Sequence, residues 1–195
     1  TGVVTTTGTS NYPRSRQLDA TNFVVQSDNG GFYGRLSSIS GTTITAGNTT
    51  YFYRSGGTNQ SAYAALDASN VIWVGLSVCN KMEARVLSLS GTTLTANTAA
   101  SCVPTFAYQL SVAALSATSF VVVYFSETTK VRCRIATISG TTITFGSEYQ
   151  VNSTDSYDSP SYDELRVAAL SSTLFCVVYP NSNASWETAR AATVS

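Results

Sequence analysis

The chain has 195 residues, with eleven Lys and Arg, eleven Asp and Glu, and no His. Charged residues make up 11 % and hydrophobic residues 43 %, and abundant Thr, Ser and Asn favour strands and turns. The zero net charge argues against a nucleic-acid partner, and the longest apolar run, residues 120–125, is too short for membrane insertion. We therefore expect a folded β-protein.

Four copies of one block recur along the chain, aligned on a leucine. They read SRQLDATNFVVQ (15–26), YAALDASNVIWV (63–74), VAALSATSFVVV (112–123) and VAALSSTLFCVV (167–178). A second block follows each copy and reads GRLSSISGTTIT (34–45), ARVLSLSGTTLT (84–95), CRIATISGTTIT (133–144) and ARAATVS (189–195). Self-similarity at a period of about fifty residues predicts a repeat architecture.

Each copy predicts four short strands, A to D, in chain order. A turn with Asp or Ser joins strands A and B, and a Ser-Gly-Thr-Thr turn, with Gly suited to positive φ, joins strands C and D. The segment TGVVT at the N-terminus continues the fourth copy where ARAATVS stops, which indicates a closed ring.

We therefore predict an all-β fold, a four-bladed β-propeller with four antiparallel strands per blade and an N-terminal strand that completes the last blade. It forms a single domain over residues 1–195. The predicted repeats are 9–47, 48–97, 98–146 and 147–195, closed by 1–8.

Alternating strands place the A–B and C–D turns on one side of the ring and the variable B–C and D–A loops on the other, the loop face. Binding residues concentrate in loops on rigid scaffolds. Aromatic side chains among Asn, Ser and Asp suit sugars, because a ring covers an apolar C–H face while polar groups bind hydroxyls. The predicted ligand-binding aromatic residues are Tyr33, Tyr53, Tyr108, Tyr157 and Trp186. Alternatively, such rings fill the gaps between blades.

One charged residue repeats in every copy. Arg35, Arg85, Arg134 and Arg190 begin strand C, each after a small residue. No carboxylate repeats beside them, so a repeated ion pair is excluded. Two interpretations stay open. Either each arginine bonds backbone carbonyls of a neighbouring blade, or each binds ligand, which makes four related sites.

The four cysteines divide into two pairs. Cys133 and Cys176 replace small or apolar residues of the other copies, which predicts buried thiols. Cys79 and Cys102 lie in loops that flank one blade boundary, so we predict a disulfide between them, although four cysteines allow three full pairings. A chain that opens on Thr1 rather than Met is typical of a processed secreted protein.

Enzyme chemistry has little basis in this sequence. The absence of His removes the commonest general base and most zinc sites, and no phosphate-binding glycine loop is present. The acidic segment 155–164 lacks the ligand spacing of an EF-hand, so we interpret it as a solvated loop. We expect no catalytic residues, no metal and no cofactor. A glycosidase-type carboxylate pair stays an alternative, from Glu127, Glu148 or Glu187 with an Asp.

The blocks VAALSATSFVVVY and TISGTTITFGSEY resemble tandem repeats of secreted and surface proteins from marine organisms and bacteria. The overall plan is similar to that of small propeller lectins, which place a sugar site in or between repeated blades. The resemblance implies a secreted, multivalent carbohydrate-binding protein whose partners are glycans or glycoproteins. The alternatives are an extracellular structural or protein-interaction module and a glycoside hydrolase. Homo-oligomerisation is left open.

Overall fold

The structure is a computed structural model that describes residues 14–28, 32–53, 61–76, 81–102, 107–126, 130–151, 165–180 and 187–194. Within these ranges the chain forms sixteen β-strands in four antiparallel sheets. The predicted all-β class is confirmed. The described ranges contain no helix long and apolar enough to cross a membrane.

The strands follow the chain from sheet to sheet. Sheet I contains β1 (Arg14–Gln17), β2 (Asn22–Asp28), β3 (Phe32–Ser40) and β4 (Thr43–Tyr53). Sheet II contains β5 (Ser61–Ala65), β6 (Asn70–Leu76), β7 (Met82–Ser90) and β8 (Thr93–Ala96), with β9 (Ala100–Cys102) also paired to β7. Sheet III contains β10 (Ala107–Ser116), β11 (Ser119–Ser126), β12 (Val131–Ser139) and β13 (Thr142–Gln150). Sheet IV contains β14 (Arg166–Ala169), β15 (Leu174–Pro180) and β16 (Glu187–Thr193).

The short turns have the chemistry that the repeats predict. Gly41, Gly91 and Gly140 have φ values of +59°, +57° and +61°, a region that only glycine enters without strain. In the first A–B turn, the Asp19 carboxylate accepts hydrogen bonds from the backbone N–H groups of Thr21 (2.7 Å) and Asn22 (2.8 Å). Ser116 serves the same purpose in sheet III, since its hydroxyl accepts from the Thr118 N–H at 3.1 Å.

Successive sheets pack face to face in chain order. The first strands β1, β5, β10 and β14 lie side by side in that order. Three buried apolar clusters fill the boundaries between sheets I and II, II and III, and III and IV. We call the surface of a sheet that points to the next sheet its forward face, and the opposite surface its backward face.

The side-by-side first strands agree with a ring, but none of the described sheets closes on itself. The closed propeller and the single domain therefore stay predictions. Residues 1–8, the predicted fourth strand of sheet IV, lie outside the described residues.

Candidate functional site

The four repeated arginines occupy equivalent positions in four different sheets. Cross-strand pairs point to the same side of a sheet. Arg85, Arg134 and Arg190 pair with Trp73, Val122 and Val177, which lie in the three intersheet clusters on backward faces. Arg35 pairs with Val25, on the backward face of sheet I. The four arginines therefore occupy the same position on the backward face of each sheet.

Three of these arginines donate hydrogen bonds to acceptors in their own sheet. The Nε and Nη2 atoms of Arg35 donate to the Thr49 hydroxyl at 3.0 Å and 2.6 Å. Arg85 Nη1 donates to the carbonyl oxygen of Asn97 at 3.1 Å, and Arg134 Nη1 donates to that of Gly146 at 2.8 Å. These acceptors belong to the fourth strand or its continuation, not to the neighbouring blade that one interpretation predicted.

Sheet I combines its arginine with two tyrosines. Tyr33 pairs with Tyr51, and Arg35 pairs with Thr49 two positions along the same strands. These four residues share the backward face near the loop end of sheet I, and we call them the sheet I patch. The two rings lie 5.2 Å apart between centroids at an angle of 58°. Tyr51 is 51 % exposed, so one aromatic surface faces solvent beside a guanidinium and a hydroxyl.

A β-bulge sets the register of this patch. Between the pairs Arg35–Thr49 and Ser37–Ala46, strand β4 contains one residue more than β3. Gly47 lies in the bulge, where a Cβ atom would be 2.3 Å from the carbonyl oxygen of Thr92. Only glycine fits so close to a neighbouring backbone. The bulge brings Thr49 opposite Arg35.

Sheet III repeats the same four positions with different side chains. Arg132 pairs with Gln150 and Arg134 with Glu148, again beside a bulge, which here contains Gly146. Arg132 Nη1 lies 3.1 Å from Glu148 Oε1, and Arg134 Nη2 lies 3.8 Å from Glu148 Oε2. We call these residues the sheet III patch. The sequence predicted no repeated ion pair, and sheet III contains an ion pair at this position.

The hydroxyl of Tyr124 donates a hydrogen bond to Oε2 of Glu148. Burial, followed by this bond to Glu148, raises the pKa of Tyr124 well above its ordinary value. Burial opposes the charge of Arg134, yet the Tyr124 hydrogen bond and nearby charges hold the pKa of Arg134 above its ordinary value. These partners place Glu148 in a network with Arg132, Arg134 and Tyr124.

The other predicted site residues have mixed outcomes. Arg190 lies exposed on β16, and the side chains of Tyr53 and Tyr108 lie outside the described part of the chain. The described residues do not include Tyr157, Trp186, Glu127 or the acidic segment 155–164. The backbone of Glu187 is described, but its side chain is not. Thr49, Tyr51 and Arg132 do not belong to the predicted set of binding residues. The signal for them is cross-strand pairing, which depends on the bulge.

The cysteines differ in their surroundings. Cys133 is buried, as predicted, whereas Cys176 is half-buried. Burial raises the pKa of the Cys102 and Cys133 thiols to about 11. No disulfide joins cysteines within the described ranges. Cys79 lies outside those ranges, but Cys102 carries a buried thiol in this structure, so the predicted Cys79–Cys102 disulfide is not supported.

Compared with known proteins, the chain matches no family model and no curated protein sequence. The geometry of the two patches therefore carries the functional conclusion.

Proposed function

We propose that this chain is a secreted, non-catalytic carbohydrate-binding protein, and that the sheet I patch is its principal site. The observation that supports this most strongly is the Tyr51 ring, which is 51 % exposed and held against Tyr33. An exposed aromatic ring of this kind can cover the apolar C–H face of a sugar ring.

Arg35 supplies the polar part of the proposed recognition. A guanidinium presents several N–H donors in a fixed plane, and sugar hydroxyls can accept hydrogen bonds from them. The Thr49 hydroxyl holds the Arg35 side chain through two hydrogen bonds, of 3.0 Å and 2.6 Å. That restraint reduces the side-chain entropy that binding would otherwise cost.

We further propose that the four sheets are the blades of a closed β-propeller whose loop face carries the sites. The side-by-side first strands of the sheets and the equivalent arginine positions support this arrangement. Several weak sites on one ring would strengthen attachment to a glycan-coated surface.

A glycan array with the purified chain tests the function. We expect binding to a restricted set of sugars, and absence of signal at high protein concentration would contradict the proposal. Tyr51→Ala should weaken the affinity for the best glycan about 3- to 10-fold, the magnitude expected for one aromatic contact.

Tyr149→Ala is the matched control for this variant. Tyr149 is equally exposed, at 56 %, but pairs with Cys133 on the forward face of sheet III, away from the sheet I patch. The control should retain the parent affinity. Equal losses in both variants would point to non-specific aromatic contact.

A further inference from the structure

Two sheet faces differ from the others in what covers them. On the backward faces of sheets II and III, Val71, Trp73, Phe120 and Val122 are fully buried. The equivalent residues of sheet I are Phe23 and Val25, which are only partly buried. The backward face of sheet I is thus apolar but incompletely covered.

The forward face of sheet IV shows the complementary departure. In sheet II, the forward residues Ile72, Val74, Ala84 and Val86 are at most 1 % exposed, in contact with sheet III. Their equivalents in sheet IV are half-buried or exposed, namely Cys176, Val178, Ala189 and Ala191. The forward residues that are buried in sheet II therefore have equivalents in sheet IV that are accessible to solvent.

One aliphatic pairing recurs at each packed boundary. The leucine that ends strand A of one sheet shares a cluster with the aliphatic residue that ends strand C of the next. These pairs are Leu18 with Leu89, Leu66 with Ile138, and Leu115 with Val194. The two residues left over from this pattern are Leu170 of sheet IV and Ile39 of sheet I. They are 61 % and 41 % exposed, and no other large aliphatic side chain among the described residues is exposed.

We propose that the forward face of sheet IV packs against the turn end of the backward face of sheet I of the same chain, with Leu170 against Ile39. This contact leaves the Tyr33–Tyr51 end of the sheet I patch open, as at the equivalent Arg132–Gln150 pair of the packed sheet III, where Gln150 is exposed. Small side chains on sheet IV, such as Ala189 and Ala191, would oppose the large Phe23 of sheet I. Contact between copies would instead be a head-to-tail interface, which leaves open faces at both ends or builds larger rings. Closure within one chain covers both faces at once. It rests on the closed ring proposed above and not on sugar binding, so the glycan array and the experiments below can fail independently.

The native thiol of Cys176 provides a direct test, because it lies on the forward face of sheet IV. We expect N-ethylmaleimide to alkylate Cys176 in the folded protein as slowly as the buried Cys133, with rates resolved by peptide mass spectrometry. A Ser40→Cys variant in an exposed turn supplies the fast reference. If Cys176 reacts as fast as that reference, the face is open and the proposal is wrong.

Leucine truncation tests the same boundary in a second way. Leu170→Ala should lower the melting temperature about as much as Leu115→Ala, by roughly 5 °C or more, if Leu170 is covered as Leu115 is. An unchanged melting temperature would overturn the proposal. In the Leu170→Ala background, Ile39→Ala should lower the melting temperature little further. In the Leu66→Ala background it should have its full effect, since Leu66 packs with Ile138.

Sedimentation equilibrium decides between one chain and two. A particle of 20.6 kDa with protected Cys176 supports closure within the chain. A multiple of that mass, with protection lost on dilution, would show that a second copy covers the faces and would refute the proposal.

Discussion

Replacing Glu148 with Gln removes the carboxylate that Arg132 and Arg134 share in sheet III. At an effective dielectric constant of about 20, the 3.1 Å and 3.8 Å contacts correspond to gross attractions of about 5 and 4 kcal/mol. Desolvation and solvent screening offset most of this, because the Glu148 side chain is 28 % exposed. Exposed pairs contribute about 0–1 kcal/mol, and breaking a buried pair costs about 3–5 kcal/mol. We therefore expect Glu148→Gln to lower the free energy of unfolding by about 2 kcal/mol.

Urea unfolding followed by tryptophan fluorescence measures this loss, since Trp73 is fully buried. Glu83→Gln is the matched control, because no ion pair of Glu83 is present among the described residues. The control should change stability by less than about 0.5 kcal/mol. A loss below that value for Glu148→Gln, at an unchanged urea slope, would refute the ion-pair interpretation.

Two further variants test the bulge and the short turns. Gly47→Ala should cost about 1–3 kcal/mol of unfolding free energy, because its Cβ would be 2.3 Å from the Thr92 carbonyl oxygen. In Gly146→Ala the added Cβ would lie 3.0 Å from its nearest backbone oxygen, so the loss of unfolding free energy in the same urea titration should be smaller. Equal losses in the two variants would contradict this packing. Hydrogen bonds from the Asn22 side chain and from backbone N–H groups lower the pKa of Asp19 from 3.8 to about 2. The stability from Asp19 is therefore complete above the unfolded-state pKa and is lost as the pH falls through the folded-state value. Asp19→Ser, which copies the Ser116 turn, should reduce the loss of melting temperature between pH 4 and pH 2, and an unchanged pH profile would contradict the assignment.

The repeated sequence blocks predicted the strands, their order and the glycine turns. These features are local, because hydrophobic alternation and positive φ depend on neighbours in the chain. The positions of Arg35 and its three counterparts could also be predicted, since each is the second residue of the second repeated block. The partners of these arginines could not be predicted. Thr49 comes opposite Arg35 only through the extra residue of the bulge, and a shift of one residue would turn Thr49 to the other face.

Glu148 illustrates the same limit in another way. Across the copies, the position opposite the arginine holds no repeated carboxylate, so the sequence pattern indicated no ion pair. In sheet III the pair nevertheless forms, because Arg132 and Arg134 lie on one face two residues apart and Glu148 lies opposite Arg134. A feature of a single copy is invisible to an argument based on repetition.

The two patches suggest how one frame can hold unequal sites. Tyr33, Arg35, Thr49 and Tyr51 of sheet I correspond by register to Arg132, Arg134, Glu148 and Gln150 of sheet III. In sheet III the Glu148 carboxylate forms an ion pair with Arg134, and none of the four equivalent positions holds an aromatic side chain. We therefore expect sheet III to bind sugar weakly or not at all.

Transplanting the sheet I residues tests this reasoning. The triple variant Arg132→Tyr, Glu148→Thr, Gln150→Tyr keeps Arg134 and gives sheet III the four side chains of the sheet I patch. With the best glycan from the array, titration calorimetry should show one additional site per chain relative to the parent protein. A folded triple variant with unchanged stoichiometry would mean that these four residues do not suffice for binding. Recognition would then depend on the variable loops beyond the strand ends, where the frame is the same in every sheet but the loop sequences are not.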